Sequence, residues 1–364
     1  HLLVVIFATV FFRFPARNLT VIGVTGTDGK TTPVNLIYEI LKKAGKKVAM
    51  VSSVGAKIGG KDYDLPFHVT TPSSWQLQKF LRLAVSRGDK YLVLEVTSHA
   101  LDQNRVFGIP FKIGVLTNVT HEHWDYHKTF ENYVKAKMKL FRGVEWAIVN
   151  KDFLDKGFKV SGSKGLKVIS RNFSFTTSLP GDYNQQNCLA AITVARVLGV
   201  PDKIIREGVS EFKGLIGRFE LIDSGRGYQI LIDFAHTPNA FDQLLKTIKS
   251  QISGRLIHVF GSAGLRDFTK RPLMGKIAAQ YDDIIILTEE DYRTEDVNRI
   301  MEEIESGVDP DVRRDDTEVS IFKISDRQEA INKAIKMAKK GDWVVLTGNG
   351  HEKSLCRGVN EDPW

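Results

Sequence analysis

The sequence predicts an α/β fold built on mostly parallel sheets, in two successive lobes, and three observations carry that prediction. Apolar strand-like runs alternate with helical patterns from Val21 onward. A glycine-rich turn joins an early strand directly to a helix. Four later strand-like runs each end in a polar cluster, as expected where ligands gather at the carboxyl ends of parallel strands.

The early turn is the most specific of these. Residues 23–32 read Gly-Val-Thr-Gly-Thr-Asp-Gly-Lys-Thr-Thr, after the apolar run Leu19-Thr20-Val21-Ile22 and before the helical pattern Val34 to Lys43. Small residues there let backbone N–H groups approach phosphates at a helix N-terminus, Lys30 can reach the β and γ oxygens, and the Thr31 hydroxyl can hold magnesium. The spacing departs from the usual pattern: Val24 stands where the first glycine belongs, so Gly26, Thr27, Asp28, Gly29, Lys30, Thr31 and Thr32 form the working part. Pro33 suits the first turn of the helix, where its missing N–H is not needed. The first lobe therefore reads as a P-loop ATPase domain that binds ATP with magnesium.

Further along, Tyr91 to Val96 is a buried-strand pattern ending at Glu95, and Ile113 to Leu116 ends in Thr117-Asn118. Both deliver polar groups to the rim that carries Lys30. A helix over Asn187 to Leu198 follows a turn at Gly181 to Asn184, and Gly214 to Gly217 reads as a hinge. Beyond it a Rossmann-like α/β series begins. Its strand patterns Tyr228–Ile232, Leu256–Phe260, Ile284–Leu287 and Trp343–Leu346 end in the clusters starting at Asp233, Gly261, Thr288 and Thr347. The expected organisation is an apolar segment over 1–18, a central ATP-binding domain over 19–214 and a C-terminal domain over 215–364.

Composition bounds the rest. With 364 residues, 42% hydrophobic and 26% charged, the chain has material for two or three domains with real cores. Its 51 Lys+Arg against 43 Asp+Glu give +8, without a long basic block or aromatic interleaving, which fits an enzyme of anionic small molecules and gives no reason to expect nucleic acid. Two cysteines, Cys188 and Cys356, point to neither a disulfide framework nor a zinc knuckle, so a reducing cytoplasm is the expected setting. Leu2 to Phe12 is almost wholly apolar but too short, by roughly half, to span a bilayer. Three readings stay open for it: part of a longer membrane segment, a peripheral membrane contact through residues 2–12, or a helix packed on the first domain, which is favoured.

Taken in order, these motifs resemble the Mur ligase family, within it the members that add the third residue to a muramoyl dipeptide. The resemblance runs from about Leu19 to Glu352 and rests on the phosphate loop, Thr70-Thr71-Pro72, Glu95 to Leu101, Thr117-Asn118 with His123 and Asp125-Tyr126-His127, Asn184 to Asn187, Gly217-Arg218, Asp233 to Pro238, Lys270 to Gly275, and Gly348 to Glu352. It implies a monomeric ligase that joins an acyl group to an amine through an acyl phosphate.

The resemblance assigns roles residue by residue. Lys30, Glu95, His123 and Lys137 would be catalytic, with Thr31, Glu95, His123 and Lys137 holding two magnesium ions and Lys137 carbamylated. Asn184, Asn187, Arg218, Asp233 and His236 would contact the nucleotide. Thr70, Thr71, Thr97, Gln103 and Arg105 would meet the muramoyl acceptor. Arg266, Glu290, Asp291, Arg293, Gly348 and Glu352 would meet the incoming amino acid, with Arg293 placed to clamp a distal carboxylate and so favour meso-diaminopimelate over L-lysine. Read without the family, Lys137 is a helix-surface lysine beside Lys135 and Lys139, and Arg105 is a surface salt-bridge residue.

Two departures qualify the resemblance. Family members carry a uridine-nucleotide-binding domain before the phosphate loop, and the twenty or so residues here are too few to form one. Asp291-Tyr292 also replaces the Asn-Pro usual before the arginine. Two other readings are therefore kept: a related ligase acting on another peptide or polyglutamate-type substrate, and a noncatalytic nucleotide-binding partner.

Overall fold

A computed structural model describes residues 2–66, 68–169, 172–308 and 319–364. The chain divides into two compact units, one of residues up to Thr120, Thr129–Leu179 and Tyr183–Lys213, the other of His121–Lys128, Pro180–Asp182 and Gly214–Trp364.

The first unit contains α1 (Leu2–Phe11), β1 (Thr20–Thr25), α2 (Thr31–Lys43), β2 (Val48–Ser52), β3 (Gly55–Ile58), β4 (Lys61–Tyr63), α3 (Ser74–Ser86), β5 (Tyr91–Glu95), α4 (Ser98–Asp102) and β6 (Phe111–Leu116). After α5 (Trp124–His127), which belongs to the second unit, come α6 (Phe130–Met138), β7 (Trp146–Asn150), α7 (Lys151–Asp155), β8 (Gly165–Ile169), α8 (Asp182–Val197) and α9 (Asp202–Glu211). Among the described residues the strands form an eight-stranded sheet in the order β4-β3-β2-β5-β1-β6-β7-β8. From β2 to β8 in that order every pairing is parallel, while the β2–β3 and β3–β4 pairings are antiparallel.

This topology explains the apolar runs. A parallel strand covered by helices on both faces needs apolar side chains on both, and Val21, Ile22 and Val24 of β1 are fully buried. One face packs against α3, whose Leu77, Leu81 and Ala84 share a core with Leu92, Leu94 and Tyr133. With β5 on one side of β1 and β6 on the other, the carboxyl end of β1 is a switch point where the two halves of the sheet diverge. The phosphate loop leaves from that point.

The start of one helix differs from the sequence expectation, and the N-terminal segment follows it. The helix expected from Asn187 starts at Asp182: Gly181 alone takes the left-handed turn conformation (φ 87°), and the Asp182 carboxylate sits in the first helical turn, where it suits the helix dipole. At the N-terminus, α1 buries Val5 and Ala8 and packs on α3, the third of the three readings for that segment. Among the described residues no helix is long and apolar enough to cross a membrane.

The second unit contains β9 (Glu220–Asp223), β10 (Gln229–Ile232), α10 (Pro238–Lys249), β11 (Leu256–Phe260), α11 (Lys270–Tyr281), β12 (Ile284–Leu287), α12 (Val297–Glu305), β13 (Ser320–Lys323), α13 (Arg327–Met337), β14 (Trp343–Leu346) and the hairpin β15 (Ser354–Arg357) and β16 (Asn360–Pro363). Its sheet runs β13-β12-β11-β14-β10-β9, parallel except for β9. The carboxyl ends of β10, β11, β12 and β14 thus lie on one edge and carry the four polar clusters together. Beneath that edge a buried chain of hydrogen bonds runs from Asp282 Oδ2 to His258 Nδ1 (2.8 Å) and from His258 Nε2 to Thr347 Oγ1 (2.8 Å), tying the floor of the sheet to the last loop.

Glycine sets the packing of α11 on α12. A Cβ at Gly275 would overlap the backbone carbonyl oxygen of Ile304, which cannot rotate away. Gly275→Ala should therefore lower the stability of the protein by about 1–3 kcal/mol, seen as a lower urea midpoint. An unchanged midpoint would show that α12 shifts freely.

Candidate active site

The phosphate loop is held from three directions within the first unit. From the end of β6, the Asn118 carbonyl accepts from the Thr27 N–H (3.0 Å), Asn118 Oδ1 accepts from the Asp28 N–H (2.9 Å), and Thr117 Oγ1 donates to the Asp28 carbonyl (2.7 Å). From α6, the Tyr133 hydroxyl is 3.0 Å from Thr27 Oγ1. From α8, Asn187 packs so closely that a Cβ at Gly29 would overlap its Oδ1, while a Cβ at Gly26 would overlap Thr117 Oγ1. Gly29 also has φ +67°, a conformation glycine takes without strain. Both glycines are therefore required by close approach.

At the start of α2, Lys30 occupies the N-cap position and its ammonium donates to the Thr27 carbonyl (2.6 Å). Thr32 is buried behind it. Thr31 Oγ1 lies 3.3 Å from Glu95 Oε1 and 2.9 Å from Ser53 Oγ, and the Ser53 N–H donates to Glu95 Oε2 (3.0 Å). Two hydroxyls and a carboxylate thus meet in one cluster of hard oxygen donors, which fits magnesium. Ser53 went unnoticed in the sequence, because a serine in the turn after β2 carries no motif.

Lys137 corrects the bland reading of its own sequence context. Rather than lying on the helix surface, it is 1% exposed, donates to the Gly26 carbonyl (2.7 Å) and sits 4.2 Å from the centre of the Tyr133 ring. Its helix turns this side chain inward, onto the loop. Asn184 and Asn187, one helical turn apart on α8, are both buried and hydrogen-bonded to each other (3.2 Å).

A second group forms beside β5. Thr71 Oγ1 donates to the Glu95 carbonyl (2.9 Å) and accepts from the Thr97 N–H (3.0 Å). Thr97 caps α4 through the Ala100 N–H, Arg105 Nη1 donates to the Thr71 carbonyl (3.1 Å), and Arg105 Nε donates to Gln103 Oε1 (2.8 Å). Thr71, Thr97, Gln103 and Arg105 are thus one network, with Thr70 half-buried next to it. Arg105 is thus tied to Gln103 and to the Thr71 carbonyl, a role that its sequence context alone did not suggest.

His123 belongs to the second unit and not to the first, with which sequence position groups it. It takes a left-handed conformation (φ 60°) at the N-cap of α5, 3.7 Å from Glu122. Buried Glu122 pairs with Lys270 (3.2 Å), and the Trp124 N–H donates to Asp267 (3.1 Å), so this short loop is fastened to the start of α11. The proposed metal ligands therefore divide: Thr31, Glu95 and Lys137 in the first unit, His123 in the second.

In the second unit, Asp233 accepts from the Phe219 and Ala235 N–H groups (2.7 Å each), Arg218 stacks over the Phe234 ring (4.3 Å), and His236 Nδ1 lies 2.8 Å from the Phe234 carbonyl oxygen. Arg218, Asp233 and His236 are thereby gathered around one phenylalanine. The Arg293 guanidinium donates to the carbonyls of Gly264 (2.7 Å) and Asp291 (3.2 Å), and Asp291 Oδ1 accepts from the Cys356 N–H (2.9 Å). Arg266, on the loop after β11, lies in the field of Arg293 and Asp291. Gly348 (φ +98°) has no room for a Cβ because Glu290 Oε2 lies against it, and Glu352 follows in the same loop, its N–H bonded to the Asn349 carbonyl (3.0 Å). Arg327 also escaped notice in the sequence. Buried at the start of α13, it donates to the carbonyls of Glu289 (3.1 Å) and Thr347 (2.7 Å) and so clamps two of the four loops together.

Burial raises the Glu290 carboxyl above the ordinary carboxylate range, more than Lys270 and Arg327 lower it. The folded state then holds this proton more tightly than the unfolded chain, so Glu290 costs stability as pH rises above its unfolded value of 4.5. Glu290→Gln should match the parent protein below about pH 4 and melt at a higher temperature near neutrality. A gap independent of pH would refute that assignment.

Comparison with known proteins bears on this arrangement as a whole. Residues 24–170 match the Mur ligase middle domain, and residues 217–350 match the Mur ligase, glutamate ligase domain. The UDP-N-acetylmuramoyl-L-alanyl-D-glutamate--2,6-diaminopimelate ligase of Clostridium botulinum is 35% identical over 372 residues, covering 94% of this chain and 75% of that one. The UDP-N-acetylmuramyl-tripeptide synthetase of Borreliella burgdorferi is 37% identical over 394 residues, covering 98% and 77%. A solved UDP-N-acetylmuramoyl-L-alanyl-D-glutamate--2,6-diaminopimelate ligase superposes with a TM-score of 0.58 at 30% identity, covering 95% of this chain and 76% of that one. With both domain matches and relatives at this level, the chain belongs to the Mur ligase family.

Proposed function

We propose that this chain is an ATP-dependent ligase of peptidoglycan precursor synthesis that joins meso-diaminopimelate, in preference to L-lysine, to a muramoyl-dipeptide acceptor, acting as a monomer in the cytoplasm. The observation that carries the reading is the convergence of Lys30, the Thr31–Ser53–Glu95 oxygen cluster and buried Lys137 on one phosphate loop. The names of the relatives support the substrates.

The chemistry requires two anions, the acceptor carboxylate and the γ-phosphate, to come together. Backbone N–H groups of residues 26–32 and the Lys30 ammonium supply positive potential at the helix N-terminus. Thr31 and Glu95 would hold one magnesium, which when bound neutralises phosphate oxygens and orients them for transfer. His123 and a carbamylated Lys137 would hold a second, carbamylation turning a cation into an anionic oxygen ligand. Asn184, Asn187, Arg218, Asp233 and His236 would bind adenine and ribose.

On the acceptor side, the Thr71–Thr97–Gln103–Arg105 network would offer donors to an anionic sugar-peptide and hold its carboxylate near the β5 end. On the amine side, Arg293 would clamp the distal carboxylate of diaminopimelate, with Arg266, Glu290, Gly348 and Glu352 around the rest. Asp291 would favour the distal ammonium.

Phosphate release measured with candidate amino acids and acceptors tests the reading. Turnover should require both, with diaminopimelate preferred over lysine by roughly 100-fold, the worth of charge-assisted hydrogen bonds added to an Arg293 guanidinium that the Gly264 and Asp291 carbonyls already hold in place. A preference for glutamate would establish a different peptide ligase, and ATP binding without turnover a noncatalytic partner. Lys137→Ala should lower kcat by at least about 100-fold without rescue by bicarbonate; near-normal rates would remove the second-metal role. Ser53→Ala should raise the magnesium concentration needed for half-maximal rate by about 10-fold, and no change would remove Ser53 from the cluster.

A further inference from the structure

We propose that the outward face of α1 docks on an anionic lipid surface. Thr9 is its one polar side chain, and the Thr9 hydroxyl donates to the Val5 carbonyl (2.8 Å). Val5, Ala8 and Thr9 face inward and are buried, which leaves Leu3, Val4, Phe7, Val10 and Phe11 on the other side, each more than half exposed. Scattered apolar residues are normal on a protein surface, but these are contiguous and are extended by aromatic rings from other elements. Trp75, at the N-terminus of α3, lies 6.1 Å from Phe7, 5.0 Å from Phe11 and 5.1 Å from Phe12. Exposed Phe107 precedes Gly108, whose Cβ would fall 3.3 Å from Thr9 Cγ2, so that loop borders the helix.

Charge decides what covers this face. Residues 2–27 contain no Asp or Glu, while Arg13 and Arg17 follow α1 directly and are exposed. The exposed side of α3 adds Lys79 and Arg82, and α3 contains no acidic residue. A second copy of this chain seated on the same patch about a two-fold axis would gather both sets of cations into one interface, with no acid on α1 or α3 to pair them. Lipid headgroups of negative charge complement them instead. Apolar side chains with a tryptophan at the rim and arginines reaching outward form the surface that lies in a bilayer interface without crossing it.

The proposal does not depend on the ligase reading. Joined to it, docking would bring the loop carrying Gln103 and Arg105 beside the lipid, because the same loop carries Phe107.

Flotation of the full chain with vesicles of phosphatidylcholine, with and without phosphatidylglycerol, tests it. The chain should float with the anionic vesicles only, and added salt should weaken the association. Lys79→Glu with Arg82→Glu should reduce partitioning by at least about 10-fold, each cation near an anionic surface being worth roughly five-fold. Phe7→Glu with Phe11→Glu should abolish flotation while ATP turnover and the circular dichroism melt stay as in the parent; should that variant unfold, Val4→Ser with Val10→Ser takes its place. Failure to float with either vesicle overturns the proposal. So does a dimer in sedimentation velocity that the phenylalanine substitutions dissociate, which would give the face to a second copy. Turnover recorded on the same samples separates loss of docking from loss of ligase chemistry.

Discussion

A backbone loop that must come within hydrogen-bonding distance of a polyanion has no room for side chains at its closest points, and the first unit is arranged around that constraint. Gly26 and Gly29 are pressed against Thr117 and Asn187, so the loop is fixed by the end of β6 and by α8 at once. The strands set this up: β5 and β6 flank β1, and their carboxyl ends bring Glu95 and Thr117 to the rim where the loop begins. Tyr133 and Lys137, one helical turn apart on α6, complete the enclosure from a third side.

Burial of Lys137 has a physical consequence. An ammonium removed from water must be compensated, and here the Gly26 carbonyl and the Tyr133 ring face do so. The same contacts hold the side chain on the loop whose ligands it borders. The loop is thereby fastened by hydrogen bonds within its own unit, the kind of preorganisation that electrostatic stabilisation of a bound polyanion requires.

In the second unit the constraint is electrostatic. Glu289, Glu290, Asp291, Arg293, Arg327 and Arg357 occupy one sheet edge, and charges so confined are stable only when paired or neutralised. Arg327 bonds two loop carbonyls, Glu289 accepts from Arg357 (2.9 Å), and burial raises the Glu290 carboxyl above its ordinary range. The His258 bridge between Asp282 and Thr347 anchors the edge from below. Loops fixed in this way can present a substrate-sized set of charges without collapsing onto each other.

The sequence by itself determined the strand–turn–helix of the phosphate loop, the alternation that makes both units α/β, and the ends of Leu256–Phe260, Ile284–Leu287 and Trp343–Leu346. These are contiguous features, set by local periodicity and by residue types that one turn geometry demands. Only the tertiary structure decided that Lys137 points inward, that Ser53 joins Glu95 and Thr31, that Arg327 clamps two loops, and that His123 belongs to the second unit. Each of these joins residues dozens of positions apart, through strand order and helix rotation that no local pattern encodes. The apolar run at the N-terminus shows both halves of the lesson. Its composition was plain from the letters, but which of its side chains face α3 and which face outward followed from the angle at which one helix lies on another.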